Sequence, residues 1–332
     1  MNRLFRFARA GLLAVLFAAH VGGAALAQTG AACPPAAPTP TPEQLQAGLR
    51  NARDHGFLWR ISKDGRSSWL YGTLHVAKFD WTFPGPKVNA ALRASDTIAL
   101  EMDLLDPEVQ RLTAAAMAAQ AQAHAPLPAA LQRRLERAAR AECIAPQALA
   151  ALAPDMQIAA LTTLMGRRDG LHPSYGIDLF LAGWGRSEKR RVVSLESPEL
   201  QLQALRSATP AETTRSVAAA LDEIESGRAR PLLRRLAQLW ADGDWATLSA
   251  YESWCDCLKT SAERADLKRL LDDRNPGLAD AIAALHASGQ QVFAAVGSLH
   301  MIGPTGLPAL LARRGYRIDP IAYDPPPQEN PP

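Results

Sequence analysis

The sequence predicts an α/β fold, with a small mixed or parallel sheet and extensive inserted helices. Three observations lead to this class. Short apolar runs suited to buried strands recur at wide intervals along the chain. The long stretches between them are rich in Ala and Leu and are divided by prolines, which is typical of successive short helices. Few strands among many helices indicate an α/β core that carries helical additions.

The first two predicted strands form a hairpin. The runs FLWRIS and SSWLYG flank the turn sequence KDG, and an Asp-Gly pair between two apolar runs is a strong hairpin signal. The other predicted strands are TIALE (97–101), RVVSLE (191–196), QVFAAVG (291–297) and YRID (316–319), the last at an edge of the sheet.

Prolines mark the predicted helices. The segment PKVNAALRAS has Pro86 in its first turn, where proline is favoured. Four prolines divide residues 107–165 into about four short helices, and residues 198–287 are again helical. We therefore expect one domain over residues 57–322, with helical insertions at about 105–170 and 198–287.

The N-terminus has the pattern of a secretory signal peptide over residues 1–27. Arg3, Arg6 and Arg9 precede an apolar stretch, and the triplet ALA at 25–27 is a small-x-small cleavage signature. An uncleaved membrane anchor is the alternative. We expect an exported protein, periplasmic or secreted, with no stable membrane span after cleavage of the signal peptide.

The charge balance argues against nucleic acid as a partner. The whole chain carries a formal charge of +3, and loss of the three Arg of the signal peptide leaves 3 − 3, a balance near zero. Binding to nucleic acid needs a strong basic surplus. We therefore expect no nucleic-acid partner.

Two terminal segments are expected to lie outside the folded domain. Residues 28–56 begin with QTGAACPPAAPTPTP and are expected to form a Pro-rich, extended linker. Residues 323–332 end in DPPPQENPP and are expected to form a disordered tail.

The four cysteines of an exported chain are expected to form disulfides, with three connectivities open. Cys255 and Cys257 are too close in sequence to bond each other easily, so we expect Cys143 to pair with one of them. Cys33 resembles a lipoprotein acylation site. However, Gly30 stands where a bulky aliphatic residue is wanted, which argues against lipidation.

Four ionisable residues stand at the ends of predicted strands. Glu101 closes TIALE, Glu196 closes RVVSLE, and His75 and His300 follow the strands that end in Gly72 and Gly297. If these strands run parallel in one sheet, their carboxyl ends share one edge, where ligands bind in open α/β sheets.

The two histidines belong to the same short motif, Gly-[Ser/Thr]-Leu-His. Gly72 and Gly297 fit a sharp turn at a strand end, through positive φ or a close backbone approach. The repeated motif thus predicts that two imidazoles, His75 and His300, face a common point. The alternative is that each histidine is a satisfied loop or core residue.

Two imidazoles and a carboxylate are ligands for divalent Mn, Co, Zn or Fe. Such a site with an open position would be hydrolytic, because the metal lowers the pKa of its water to roughly 7 and polarises a carbonyl. The second glutamate would then be a general base. A metal-free site, with His as base and Glu as its orienting partner, is the alternative. Glu196 could instead cap the helix that begins at Pro198.

Taken in order, these motifs resemble the TraB/GumN family, which includes the TIKI proteases. The resemblance covers roughly residues 57–320 and implies a small α/β core with inserted helices. For the TIKI branch it also implies a divalent-metal-dependent peptidase that uses the two His and the Glu. The residues that carry it are Gly72 to His75, Gly297 to His300, Glu101, Gly176 and Asp178 in YGIDLFL, SLESPELQLQAL with Ser197 in place of the usual Thr, and Arg274 and Asn275 in LLDDRNPGLADAI.

The residues added by this resemblance also have alternative interpretations that do not depend on it. Arg274 could bind a carboxylate or stabilise an oxyanion, or pair with the neighbouring Asp272 or Asp273. Asn275 and Asp178 could each cap a helix, and Asp178 could instead orient a ligand histidine. The aromatic residue before Gly176, Tyr175, could be an oxyanion donor or a packed side chain.

Together with this resemblance, the sequence predicts an exported hydrolase that acts on peptide bonds, with a peptide or protein as substrate. His75, Glu101 and His300 are the predicted metal ligands or direct catalytic set, and Arg274 is the predicted electrostatic helper. The alternative, from another functional class, is a protein that binds and sequesters a peptide or signal without cleaving it. The substrate, the metal and the oligomeric state are left open.

Overall fold

The structure, a computed structural model, describes residues 33–255, 257–258 and 260–324. The predicted signal peptide (1–27), the start of the predicted linker (28–32) and most of the predicted tail (325–332) lie outside the described residues. In the part of the chain that the structure describes, no helix is both long enough and apolar enough to cross a bilayer.

One mixed sheet organises the molecule, which confirms the predicted α/β class. Its spatial order is β4-β3-β5-β2-β1-β6. β4, β3, β5 and β2 run parallel to one another, whereas β1 runs antiparallel to both β2 and β6. The strands are β1 (Phe57–Lys63), β2 (Arg66–Thr73), β3 (Thr97–Leu100), β4 (Arg191–Ser194), β5 (Val292–Gly297) and β6 (Arg317–Pro320).

The predicted hairpin and the predicted edge strand are both present. β1 pairs with β2 from Phe57 opposite Gly72 to Lys63 opposite Arg66. Asp64 and Gly65 turn the chain with φ of 52° and 73°, and positive φ at both central residues is what a two-residue hairpin turn of matching twist requires.

Helices fill the two insertions, and the prolines of the first insertion separate four of them, as predicted. The helices are α1 (Pro42–Arg50), α2 (Pro86–Arg93), α3 (Pro107–Ala123), α4 (Ala129–Ala141), α5 (Pro146–Ala150), α6 (Pro154–Leu164), α7 (Ile177–Ser187), α8 (Pro198–Leu205), α9 (Pro210–Glu225), α10 (Ala229–Asp242), α11 (Trp245–Ser249), α12 (Tyr251–Trp254), α13 (Ser261–Leu267), α14 (Asn275–Ala287) and α15 (Leu307–Arg313). A π-helical turn, Lys268–Asp272, leads into α14, and a 3₁₀ turn, Ser298–Met301, follows β5.

The described residues form two hydrophobic cores. The larger one surrounds β5, whose residues 292–296 are fully buried, as expected for a central strand of a parallel sheet. The smaller core lies between α4, α6 and α9 and is built around residues such as Leu135, Leu161 and Leu221. The inserted helices thus form a packed unit of their own beside the sheet.

A tryptophan from α10 links the second insertion to the end of β2. The indole of Trp240 is almost fully buried and donates from Nε1 to the carbonyl oxygen of Gly72 at 2.7 Å. The imidazole of His55 stacks on the same indole, and the backbone N–H of Gly56 donates to the Trp240 carbonyl. The second insertion is therefore hydrogen-bonded to the end of β2, which precedes His75.

The segment predicted to be an extended linker contains a helix and is bonded to the domain. α1 begins with a capping box, in which Thr41 and Gln44 each satisfy the other's backbone N–H. Further along, the Asp54 carboxylate accepts from the backbone N–H groups of Lys87 and Val88 and so caps α2.

The expected disulfide pairing is wrong. The structure pairs Cys33 with Cys143 and Cys255 with Cys257. The chain turns directly after α12, so that the α-carbons of Cys255 and Cys257 lie 5.1 Å apart, within the range that a disulfide spans. In this pairing the Cys33 sulfur is held in a disulfide and is not available for acylation.

We predict that loss of the Cys33–Cys143 bond lowers the stability of the domain by about 2–4 kcal/mol, because the bond closes a long loop, with a sequence separation of 110. Chemical denaturation of a Cys33→Ser/Cys143→Ser variant, in a Cys255→Ser/Cys257→Ser background, measures the change. Under reducing conditions this variant and its Cys255→Ser/Cys257→Ser background should have the same denaturation midpoint. An equal midpoint for both under oxidising conditions would contradict the prediction.

Candidate functional site

The four parallel strands place the predicted ionisable residues along one edge of the sheet. The spatial order of these strands is β4-β3-β5-β2. At their carboxyl ends this order puts Glu196, Glu101, His300 and His75 next to one another in turn. The expectation that the strand ends share an edge is therefore met for all four residues.

Gly297 lies at the centre of this edge, with three predicted site residues around it. A Cβ atom built on Gly297 would lie 3.1 Å from Oε1 of Glu101, 3.7 Å from Cδ2 of His300 and 3.8 Å from Nε2 of His75. The φ of Gly297 is −49°, so space and not backbone conformation accounts for the glycine. Its N–H donates to Oε1 of Glu101 at 2.6 Å.

The two Gly-x-x-His motifs are joined by their hydroxyl residues. Ser298 of the second motif donates to the carbonyl oxygen of Thr73 in the first motif at 3.0 Å. A Cβ atom on Gly72 would lie 2.8 Å from the Ser298 hydroxyl oxygen, so this contact depends on the absence of a side chain there. The two motifs are thus in direct contact at neighbouring strand ends.

His75 is oriented by a carboxylate. Its Nδ1 lies 2.8 Å from Oδ2 of Asp178, in the first turn of α7, and the hydroxyl of Thr73 donates to the other oxygen of Asp178 at 2.6 Å. The Asp178 charge is the main cause that raises the pKa of His75, to about 9. The His75 side chain is 64% exposed, so solvent screens this pair and we attach no free energy to it.

His300 is oriented by an amide and is buried. Its Nδ1 lies 2.6 Å from Oδ1 of Asn275, whose Nδ2 donates to the carbonyl oxygen of Thr305 at 2.9 Å. Because the amide nitrogen is already engaged, the amide oxygen faces His300, and the network assigns the ring proton to Nδ1. Burial lowers the pKa of His300 to about 4, so the ring is neutral at pH 7 and its Nε2 lone pair is an acceptor.

Arg274 sits among the site residues and has every N–H of its guanidinium engaged. Nε donates to Oε2 of Glu196 at 3.1 Å, and Nη2 donates to Oε2 of Glu101 at 2.8 Å and to Oε1 of Glu196. Nη1 donates to the carbonyl oxygen of Leu270 at 2.9 Å and to Nε2 of His300 at 3.2 Å. Its partners are therefore the strand-end glutamates and not Asp272 or Asp273.

The two glutamates lie side by side in different electrostatic surroundings. Burial opposes the charged form of Glu101, but His300, His75, Arg274 and the N–H of Gly297 together lower its pKa to about 2. Burial raises the pKa of Glu196, against the opposing effect of Arg274. With Arg274 on both of its oxygens, Glu196 anchors that guanidinium in the arrangement seen here.

The sequence reasoning missed Gln201 of α8. Its Nε2 lies 3.3 Å from Oε2 of Glu101 and 3.3 Å from Oε1 of Glu196, so one amide bridges both carboxylates. Gln201 lies inside the stretch SLESPELQLQAL, but nothing in the sequence distinguishes it from the neighbouring Gln203.

The structure places Glu196, Asn275 and Tyr175 in roles that can be compared with the alternatives considered above. Ser197, and not Glu196, caps α8 by accepting from the N–H of Leu200. Asn275 is the first residue of α14, and its side chain binds His300. The hydroxyl of Tyr175 donates to the carbonyl oxygen of Pro38 at 2.6 Å, so in this arrangement it is engaged away from the strand ends.

The predicted ligands carry the types of donor atom that a divalent cation binds. Oε1 of Glu101, Nε2 of His75 and Cδ2 of the His300 ring surround the space that a side chain on Gly297 would fill. Nε2 of His300 lies 3.9 Å from Oε1 of Glu101, so the donor types are those expected from the sequence. Among the described residues, however, no three His, Cys, Asp or Glu side chains already stand as a group that could hold a metal ion. In the arrangement seen here, Arg274 takes the Nε2 lone pair of His300.

We predict that Asp178→Asn lowers the pKa of His75 from its raised value, because the neutral amide no longer stabilises the imidazolium. The sign follows from linkage. In the unsubstituted chain the pair stabilises the fold fully below the ordinary His pKa of 6.5, and this contribution is lost as the pH rises through about 9. NMR titration of the His75 ring measures the shift.

The matched control is Asp280→Asn, which removes a carboxylate paired with Arg314 and leaves Asp178 in place. The control should leave the His75 titration curve unchanged. An unchanged curve in Asp178→Asn as well would show that Asp178 does not set the charge state of His75.

Comparison with known proteins agrees with the motifs. The sequence model of the TraB/PrgY/gumN family matches residues 57–320, from the first residue of β1 to the last residue of β6. No curated protein and no solved structure gives a significant match. The matched region contains both Gly-x-x-His motifs and both strand-end glutamates. Because the match covers most of the chain, the chain belongs to the TraB/PrgY/gumN family.

Proposed function

We propose that this chain is an exported hydrolase that cleaves peptide bonds at the sheet edge around Gly297. The observation that carries the proposal is the approach of His75, Glu101 and His300 to one small space from three neighbouring strands. Imidazoles and a carboxylate in reach of one point are the groups that hydrolysis of an acyl bond requires.

Export is supported by the cysteines. All four are paired, as Cys33–Cys143 and Cys255–Cys257, and such bonds persist in oxidising compartments outside the cytosol. This agrees with the signal-peptide pattern of residues 1–27.

We further propose that His75, Glu101 and His300 hold a divalent cation, which is Mn, Co, Zn or Fe. When bound, such a cation polarises a substrate carbonyl and acidifies a water molecule. Asp178 and Asn275 hold the Nδ1 atoms of the two imidazoles, which leaves Nε2 of each ring for a ligand. Nε2 of His75 lies beside the space at Gly297, and Nε2 of His300 lies 3.9 Å from Oε1 of Glu101. Partners of this kind fix the ring orientation of ligand histidines.

The two faces of the site differ in access. His300, Glu101 and Glu196 are each buried, whereas His75 is largely exposed. A substrate therefore approaches from the side of His75, and the buried carboxylates lie behind it. Arg274 holds these carboxylates in place.

The resemblance to the TIKI branch supports a peptide as the substrate. The test is cleavage of a peptide library by the metal-loaded chain, together with metal analysis of the same protein. His75→Ala, His300→Ala and Glu101→Gln should each lower cleavage by at least 100-fold, or about 2.7 kcal/mol of transition-state stabilisation. The two histidine variants should also lose bound metal.

The control variant is His124→Ala, at an exposed residue that follows α3, and it should cleave as the unsubstituted chain does. Peptide binding without cleavage in the unsubstituted chain, at any metal loading, would overturn the hydrolase proposal and favour a sequestering function.

We also predict that Gly297→Ala keeps the fold but loses at least tenfold in cleavage, or about 1.4 kcal/mol. The added methyl group would enter the space that His75, Glu101 and His300 share. Gly277→Ala, where an added Cβ meets nothing within 4 Å, is the matched control. Circular dichroism should show the same helical content for both variants, and equal activity of the two would contradict the prediction.

A further inference from the structure

Arg274 occupies the atoms that the proposed cation needs. Its Nη1 donates to Nε2 of His300, and its Nη2 donates to the carboxylate of Glu101. These two residues supply two of the three proposed ligands. The same guanidinium has its remaining N–H groups on Glu196 and Leu270, so no donor of Arg274 is free in this arrangement.

The contact with His300 excludes a metal bond to the same nitrogen. A neutral imidazole has one ring nitrogen with a free lone pair, and it can accept one hydrogen bond or bind one cation there. His300 cannot offer its other nitrogen, because Nδ1 is held by Asn275, whose amide is held in turn by Thr305. A cation can therefore reach His300 only after Nη1 of Arg274 has left Nε2.

The buried carboxylates explain why a positive group must occupy this place. The side chains of Glu101 and Glu196 are only 5% and 6% exposed, and two buried like charges without a counter-ion are costly. The guanidinium offsets this cost when no other cation is near. A divalent cation would offset the same charge on Glu101.

Glu196 can hold the Arg274 side chain after it has left His300. Nε of Arg274 and one N–H of Nη2 are bound to Glu196, which is not a proposed ligand. Because the guanidinium is a rigid plane, Nη1 leaves His300 only when the whole group shifts, and Glu196 can keep at least one of these bonds as it does so. The π-helical turn Lys268–Asp272, which only Asp273 separates from Arg274, is an irregular helical segment of the kind found at functional sites.

We propose that Arg274 and a divalent cation compete for His300, so that the guanidinium holds the site as an internal cation until a metal ion displaces it. This inference rests on the proposed metal ligands. Displacement would also free the N–H of Nη1 that His300 accepts in the present arrangement, and this N–H could then donate to a carbonyl oxygen of the substrate.

The test is calorimetric titration of Mn²⁺ and Zn²⁺ into the metal-stripped full chain, with no measurement of activity. Arg274→Met should bind at least tenfold more tightly than the unsubstituted chain, because its side chain leaves Nε2 of His300 free. Arg274→Lys keeps the positive charge but lacks the second arm that reaches His300. It should bind at least threefold more tightly, which separates occupancy of the nitrogen from net charge.

Arg269→Met is the matched control. Arg269 lies in the same π-helical turn and bonds to the Ala204 carbonyl and Asp266, so its loss removes a nearby charge without touching the ligands. This control should bind each cation within threefold of the unsubstituted chain. In a His300→Ala background, the tightening caused by Arg274→Met should disappear.

The outcomes separate this inference from the proposed function. Equal, tight binding by the unsubstituted chain, Arg274→Met and Arg274→Lys, lost in His75→Ala, overturns the competition and leaves the metal site standing. Binding by Arg274→Met but not by the unsubstituted chain supports the competition and overturns metal dependence of the natural sequence. Equal tightening in Arg269→Met and Arg274→Met also overturns the competition, because charge alone would then explain it.

Discussion

Two buried carboxylates held next to each other are the constraint on which the arrangement of the site depends. The backbone pairing of β3 and β4 continues past both strands, since the N–H of Glu196 donates to the carbonyl oxygen of Glu101. The sheet therefore brings the two acids together whether or not they repel each other. Arg274 at the start of α14, Gln201 of α8 and the N–H of Gly297 all converge on them. The positions of several elements thus follow from the need to neutralise one pair of charges.

Much of the sheet is predictable from the sequence because its signals are local. The Asp-Gly turn, the apolar runs and the prolines report on a few neighbouring residues each, and these features recur in β1, β2 and the first insertion. The shared edge of the strand ends was predictable for a related reason, since parallel strands of one sheet necessarily end on the same side. One local signal was overlooked. The sequence Thr-Pro-Glu-Gln at 41–44 is a capping box, and it begins α1 inside a segment that its prolines suggested was extended.

Other features depend on contacts between distant residues and leave no local trace. The Cys33–Cys143 bond joins the N-terminal segment to the first insertion, and only the three-dimensional path of the chain brings those sulfurs together. The partner of Arg274 is of the same kind, because the sequence offered the adjacent Asp272 and Asp273 as possible partners and gave no sign of Glu196. Gln201 acquires its place only when α8 packs against the sheet edge.

The two copies of the Gly-x-x-His motif show how one local design can serve two different chemical states. His75 is exposed and has a carboxylate on Nδ1, whereas His300 is buried and has an amide there. A carboxylate stabilises a charged ring, and an amide oxygen only orients it. The partner of Nδ1 together with the depth of burial, and not the motif, therefore makes the two histidines unequal.

The segment before β1 stabilises the region of the chain that the family model matches. The region shared with the family begins at Phe57, yet Asp54 caps α2, His55 stacks on Trp240 and Cys33 reaches the helical insertion. Residues outside the shared region therefore brace residues inside it. A fragment cut at the family boundary would keep every proposed catalytic group but would lose the scaffolding that supports the first histidine loop. In this chain the region matched by the family therefore begins later than the region that supports the fold.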